Sequence, residues 1–342
     1  MTLRSKSIDY YLGNFDRCFC GYTNDQLVRE KAASGGMVSQ LLLHLLENKH
    51  ITAAIVSKLE VVNGKLRPQP FIARSRKDIL SSGSSIYIDF AMTPITKQIE
   101  EITGPLAIVA LPCQLKTLAN LNKTNKIITI GLFCGHTSNS ELIESVLKNK
   151  IDLKNLKDFC FRRGHWRGQS QITLKSKETF DFPYFDFGLF QNIFFHMPKK
   201  CLYCQDHSAE NFDISFGDLW LKKFRKKKFK YSAIISRNKK MSDIISKMSD
   251  RNEIYLEPLD PQKIISSQKR PLIYHKFTVQ AIGKINNSSQ PKDSLAWNDY
   301  IAAQLILFNM ALAEKKIANL IYKLPKELLF LYMVFVRSFL SF

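Results

Sequence analysis

Between residues 36 and 148 the chain alternates between helix-like and strand-like stretches, and that alternation restricts it to a sheet covered by helices. Gly36 to Glu47 gives an apolar helix (Met37, Val38, Leu41, Leu42, Leu45, Leu46), and Ile51 to Leu59 follows as a strand rich in Ile, Val and Ala. The pattern repeats as helix at Pro94 to Ile102, strand at Leu106 to Leu111, helix at Gln114 to Asn122, strand at Ile127 to Phe133 and helix at Ser140 to Lys148. From Phe159 to Phe195 the chain turns β-like and aromatic. Short strands are expected at Asp213 to Phe216 and Tyr231 to Arg237, and a helix at Met241 to Met248. Ser266 to Asn298 is polar and turn-rich and reads as a long loop or linker, before helical segments at Tyr300 to Tyr322 and beyond Pro325. The fold class is α/β: a mixed sheet with flanking helices, then a β-rich part and C-terminal helices.

Two of these strands run into cysteines. Cys113 in Leu111-Pro112-Cys113-Gln114 and Cys134 in Phe133-Cys134-Gly135-His136 fall at carboxyl ends of predicted strands, where open α/β sheets place their ligands. A third phrase, Cys201-Leu202-Tyr203-Cys204, lets two sulfurs reach one centre from a single turn. Four soft ligands point to a metal or iron–sulfur site, with a closed zinc site as the rival occupant. Cys18, Cys20 and Cys160 lack such punctuation and read as buried small hydrophobes. His136 reads as a hydrogen-bonded neighbour of Cys134.

Fifty Lys and Arg against thirty Asp and Glu leave a formal charge of +20, which implies an anionic partner. Part of the excess lies in Lys222 to Lys230, read as a solvated loop that steers encounters rather than as a nucleic-acid site. Seven cysteines and an amino terminus without an apolar core segment favour a reducing cytoplasm over secretion. The apolar stretch Leu328 to Phe342 is too short to span a bilayer and contains Arg337, so it is expected to pack as a helix, with contact at a membrane surface as the minor alternative.

Four phrases suit an anionic, ring-bearing ligand. Ser34-Gly35-Gly36 opens the first strong helix and offers amides and a hydroxyl to a phosphate, and Gly83 and Ser84 in Ser81 to Ser85 offer a second such loop. Asp218 in Gly217-Asp218-Leu219-Trp220 suits a ribose or a ring nitrogen, beside a tryptophan. Arg162-Arg163-Gly164-His165-Trp166-Arg167-Gly168 adds cations and rings, with Arg163 as the candidate contact. Each phrase taken singly is also an ordinary turn.

In order along the chain these phrases resemble the coenzyme F420 hydrogenase/dehydrogenase beta-subunit family. The similarity runs from about Cys20 to Met248 and takes in Gly21-Tyr22-Thr23-Asn24-Asp25, Arg29, Ser34-Gly35-Gly36, the Cys113 and Cys134 phrases, Phe161 to Gly164, the Cys201/Cys204 pair and Asp213 to Trp220. The resemblance implies one 4Fe-4S cluster on Cys113, Cys134, Cys201 and Cys204, and FAD held partly by the Ser34 loop. It implies an oxidoreductase moving electrons between a hydride carrier such as coenzyme F420 and a one-electron partner, either a ferredoxin or a hydrogenase or dehydrogenase subunit. Many relatives carry a further ferredoxin-like cysteine array, whereas only Cys18 and Cys20 precede the similar region here, so one cluster and an external electron partner are expected. Members of the family act on F420 or chlorophyll-type pigments, or are encoded with polysaccharide-modifying enzymes. The expected parts are residues 1–150 as an α/β domain, 151–265 as the β-rich flavin and cluster part, and 266–342 as linker and terminal helices. The other reading is a zinc-stabilised, non-redox protein with a basic anion-binding surface.

Overall fold

The computed structural model describes residues 4, 6–118 and 127–341. Its eleven strands are β1 (Arg17–Thr23), β2 (Ala53–Val62), β3 (Lys65–Ala73), β4 (Leu106–Ala110), β5 (Ile127–Leu132), β6 (Leu156–Arg163), β7 (Gln169–Leu174), β8 (Thr179–Pro183), β9 (Ile214–Asp218), β10 (Ser232–Ser236) and β11 (Ile254–Pro258). Eight of them form one mixed sheet in the order β11-β1-β10-β9-β5-β4-β2-β3, and β6, β7 and β8 form a separate antiparallel sheet.

At the centre β2, β4, β5 and β9 run parallel. The stretches Ala53 to Val56 of β2 and Leu106 to Ala110 of β4 are continuous apolar runs, as cover on both faces requires. On one face Leu41, Leu42 and Leu45 of the helix Met37–Glu47 and Met241, Ile245 and Met248 of the helix Lys239–Asp250 join Ile130, Ile214, Phe216 and Ile234 in one core. Ile95, Ile99, Leu118 and Phe212 cover Ala53, Ile55, Leu106 and Ile108 from the other side. The sheet draws on both expected parts, since β1 pairs with β10 and β11 while β5 pairs with β9.

Several expected boundaries move. Pro94 to Ile102 is a 3₁₀ turn, Thr93–Ile95, followed by a short helix, Thr96–Glu100. The helix after β4 starts at Pro112 and is described to Leu118; the end of the stretch expected to Asn122 lies outside the described residues. Within the β-like stretch ending at Phe195, Phe185–Asn192 is a helix.

The linker expected from Ser266 to Asn298 is the main correction. Lys269–Ile273 and Val279–Ile285 are helices joined through a π-helical turn, Tyr274–Thr278. Leu272, Ile273, Tyr274, Phe277 and Ile282 are buried here, the first four within a single run interrupted only by His275 and Lys276. Residues 272–275 and 277–283 are all buried, so this helical stretch is enclosed on every side and shows no amphipathic period. The helices Trp297–Ala313 and Lys326–Phe339 follow, the latter burying Leu329, Met333 and Val336 against the small sheet's core. Among the described residues no helix is long and apolar enough to cross a membrane.

Candidate functional site: two pockets at the carboxyl ends of the parallel strands

Because β4 and β5 are parallel neighbours, with Ala110 opposite Gly131, the chain leaves both at the same edge of the sheet. There Cys113 enters the short helix behind Pro112, held by a local clamp: Leu111 N–H donates to Gln114 Oε1 at 2.9 Å, and Gln114 N–H donates to Leu111 O at 2.9 Å. Cys134 is pinned to His207 twice, its N–H donating to His207 O at 3.0 Å and its carbonyl accepting from His207 Nδ1 at 3.0 Å. Burial, reinforced by His275, drives His207 down to about 3, so the ring stays neutral and is held as the Nδ1–H tautomer.

Cys201 lies in the 3₁₀ turn Lys199–Tyr203 and Cys204 caps it, a spacing at which i and i+3 side chains share one side. Tyr274 Oη donates to Cys201 O at 2.8 Å. The ring nitrogens of His275 lie 2.6 Å from Cys204 O and 2.8 Å from Gly135 O, so this one side chain ties together the loops carrying Cys134 and Cys204. Cys113, Cys134, Cys201 and Cys204 thus line a single pocket, with His136, Thr137, Lys200 and His275. Burial and mutual repulsion push the thiols of Cys113, Cys134 and Cys201 up, that of Cys201 to about 11. Lys200 sits among them, bonded to Asp89 at 2.5 Å. Among the described residues no three His, Cys, Asp or Glu groups are gathered tightly enough to hold a single metal ion. His136 Nε2–H donates to Gln191 O at 2.8 Å, and the ring stacks on Phe194, so it is a packed neighbour.

One strand further along the same edge, β9 ends at Asp218, opposite the start of β10 at Ser232. Ser34, Trp166, Asp218, Leu219, Trp220, Phe224, Lys230 and Tyr231 line a second pocket, walled by aromatic rings with one carboxylate and one ammonium. Asp218 is fixed by Arg162, whose Nη1 lies 2.6 Å from Oδ2 and 3.1 Å from Tyr87 Oη. The Arg162 guanidinium also covers the Trp220 ring at 5.0 Å and is buried. Burial and the Arg162 charge lower Lys230 to about 8, and its ammonium donates to Ala32 O at 2.6 Å.

Of the expected ligand contacts, Ser34 and Asp218 line this pocket. Gly35 and Gly36 lie behind it. The Gly35 amide donates to Ser232 Oγ at 3.0 Å, and a Cβ there would stand 2.5 Å from Gly21 O and 2.9 Å from Ser232 N. Gly36 has φ +76°, in the left-handed region. Both glycines thus let the helix start close against the sheet. Since the clashing atoms at Gly35 are backbone, Gly35→Ala is expected to destabilise the protein by about 1–3 kcal/mol, seen as a lower urea midpoint; an unchanged midpoint would show that the loop relaxes freely.

Gly83 packs on Lys31, in the short helix just before the Ser34 loop, so the two small-residue loops are neighbours. Ser84 Oγ lies 3.3 Å from Cys160 Sγ, and Cys160 is half-buried beside the second pocket rather than in the core, unlike the buried Cys18 and Cys20. Arg163, by contrast, is exposed and bonds Gln171 on the neighbouring strand; the structure does not bring it to the pocket. Arg162, one residue earlier in the same phrase, is the inward cation. Lys222–Lys228 is largely exposed as expected, but Phe224 and Lys230 turn in. Arg162, Lys230, His207 and His275 were the contributors not singled out from sequence. Only Arg162 and Lys230 lie in phrases that signalled anything.

Comparison with known proteins gives the family and a likeness of fold. Residues 18–97 match the model of the coenzyme F420 hydrogenase/dehydrogenase beta subunit N-terminus, and residues 104–262 that of its C terminus, together well over half of the chain. The coenzyme F420 hydrogenase subunit beta of Methanococcus voltae is 22% identical over 265 residues, 73% of this chain and 87% of the relative. The coenzyme F420-dependent sulfite reductase of Methanocaldococcus jannaschii is 26% identical over 251 residues, 66% of this chain but 36% of the relative, so the chain spans about a third of that protein. A chain of the F420-reducing [NiFe] hydrogenase complex from Methanosarcina barkeri superposes with a TM-score of 0.56 at 19% identity, covering 76% of this chain and 94% of that one, a likeness of fold.

Proposed function

The chain belongs to the coenzyme F420 hydrogenase/dehydrogenase beta-subunit family, and from that premise we propose that it is an oxidoreductase carrying one 4Fe-4S cluster and FAD. Its role is to move electrons between a hydride carrier of the F420 type and a one-electron partner, a ferredoxin or a hydrogenase or dehydrogenase subunit. The observation that carries this reading is the meeting of four cysteines, from two strand ends and one turn, around a single pocket beside an aromatic, cationic one on the same sheet edge. When bound, a flavin takes up a hydride as an electron pair and an iron–sulfur centre passes electrons singly.

The residues suit those groups. Thiols whose burial opposes ionisation are stabilised as thiolates by a cationic iron core, which binds with release of their protons. The hydrogen bonds of His207, His275 and Tyr274 to the carbonyls around the cysteines hold the sulfurs in place before any iron arrives. In the second pocket Trp166 and Trp220 offer ring faces and edges to a planar group, Lys230 offers positive charge, and Asp218 presents a carboxylate already oriented by Arg162.

Protein purified without oxygen is expected to be brown, with broad visible absorption, about four iron atoms per chain and a flavin released on denaturation. Bleaching of the flavin by reduced F420 tests the hydride carrier separately. Colourless protein holding about one zinc would instead establish the zinc-stabilised, non-redox alternative.

A further inference from the structure

Ten of the sixteen large apolar side chains that are exposed among the described residues fall between residues 297 and 335, and half of those ten belong to one element, the helix Lys326–Phe339. That helix buries Leu329, Met333 and Val336 on one face. Its opposite face carries Leu328, Leu331, Val334 and Phe335 at intervals of three and four residues, and these are 47–64% exposed. From Leu328 to Val336 the one polar side chain is Tyr332, whose hydroxyl donates inward to Asn309 Oδ1 at 2.7 Å. Trp297, 69% exposed, joins the outward face through Phe339, whose ring centre lies 6.1 Å from that of Trp297 and 5.2 Å from that of Phe335. Ile317, Leu320 and Leu324 are exposed in the segment that leads into the helix. A helix that is apolar on both faces is ordinarily covered on both, and this one is covered on one.

The surroundings decide what covers the other. Residues 314–341 hold five Lys and Arg against Glu314 and Glu327, Lys315, Lys316 and Lys323 are exposed beside the apolar positions, and the whole chain carries +20. A second copy would set the same basic patch against itself, which repels. A protein subunit would meet a face without a free hydrogen-bonding side chain from Leu328 to Val336, whereas specific interfaces carry about one hydrogen bond per 100–200 Å². A bilayer surface needs no such bonds: Leu and Phe enter the acyl boundary, a tryptophan sits at headgroup level, and lysines meet anionic lipid. At about 1.5 Å per residue the fourteen-residue helix is about 21 Å long, short of the ~30 Å hydrocarbon core, so it fits along a bilayer and not across one. We propose that the outward face of the helix Lys326–Phe339, with Trp297 at its margin, docks the protein on an anionic phospholipid bilayer. The face lies beyond residues 18–97 and 104–262, the stretches that match the family models, and its test reads binding alone, independently of the electron-transfer role.

The test is sedimentation of the cofactor-loaded full chain with vesicles of phosphatidylcholine, alone or mixed with phosphatidylglycerol. Binding to the mixed vesicles that weakens with salt is expected, with little binding to phosphatidylcholine alone. L331E is expected to lose about tenfold or more in partition, because a leucine that enters the acyl boundary is replaced by a charge. V62E places the same charge on an exposed valine at the end of β2 and is expected to change little. No sedimentation with mixed vesicles, equal partition of L331E, or an equal loss in V62E would each overturn the proposal; the first of these leaves the face to a protein partner. A lipid-free dimer that L331E converts to monomers would overturn it too, assigning the face to a second copy. Should L331E fail to fold, brominated phosphatidylcholine in the mixed vesicles carries the test on the unaltered chain: quenching of tryptophan emission that W297F removes supports the docking face, and unchanged emission overturns it.

Discussion

Cys201→Ser is expected to leave a folded protein that has lost most of its iron, whereas Cys160→Ser is expected to keep the full complement. The two residues are both cysteines close to a pocket, but the pockets differ. Cys201 lines the hollow shared with Cys113, Cys134 and Cys204, while Cys160 faces Ser84 Oγ beside the tryptophan pocket. Serine is nearly isosteric with cysteine and leaves the backbone bonds of Cys201 intact: its N–H to Pro198 O and its carbonyl to Tyr274 Oη. An alkoxide is a hard, poor ligand for iron, so the substitution removes a soft donor without opening a cavity.

Because metal binding is folding free energy, stability is expected to fall with the iron and to do so far more in Cys201→Ser than in Cys160→Ser. Iron assay, visible absorption and a urea titration on both variants check this. Full iron in Cys201→Ser would break the ligand assignment, and equal losses in the two variants would show that the metal depends on some general property of the fold rather than on this pocket.

The cysteines were legible because their signal is local: a strand, a sharp turn, then a thiol. That β4 and β5 are parallel neighbours follows from the alternation of helices and strands, and it alone sets Cys113 and Cys134 on one sheet edge. The arginine was not legible in the same way. Strand parity sends consecutive side chains to opposite faces, so it narrows the choice to Arg162 or Arg163 without deciding it. The register of β6 on β7 slips between Cys160 and Arg163, which defeats any count of alternation from Phe159. His275 carried no signal at all, since it sits in a π-helical turn within a stretch whose Lys, Arg, Ser and Gln content suggests a linker. Lys230 was hidden for the opposite reason. It closes a run of exposed lysines, and only the aromatic side chains at 224 and 229 distinguish that end of the run from a solvated loop.

Arg162→Ala is expected to damage the second pocket more than any other single change. The guanidinium makes bonds in several directions: Asp218 Oδ2 at 2.6 Å, Tyr87 Oη at 3.1 Å, Arg167 O at 3.2 Å and Trp166 O at 3.2 Å. Burial opposes its charge, but Asp218 and the neighbouring tyrosines outweigh burial and hold the proton more firmly than usual. Removing it leaves Asp218 without its partner, and breaking a buried pair in this way costs about 3–5 kcal/mol. Asp218 keeps 23% of its side-chain surface exposed and recovers some solvation, which puts the expected loss near the lower end of that range. The two carbonyls on the β6–β7 turn lose their donor at the same moment, so Trp166 is freed to move and the edge-on contact between Trp166 and Trp220, 5.3 Å between ring centres, is lost. Arg162→Lys separates charge from shape: it keeps a cation beside Asp218 but lacks the planar fork that reaches both carbonyls. The flavin content per chain should therefore fall in both variants, with iron retained, because the cysteine pocket is built by different residues. Unchanged flavin and an unchanged urea midpoint in Arg162→Ala would remove the second pocket from the binding scheme, while parallel loss of iron would show that the two pockets stand or fall as one.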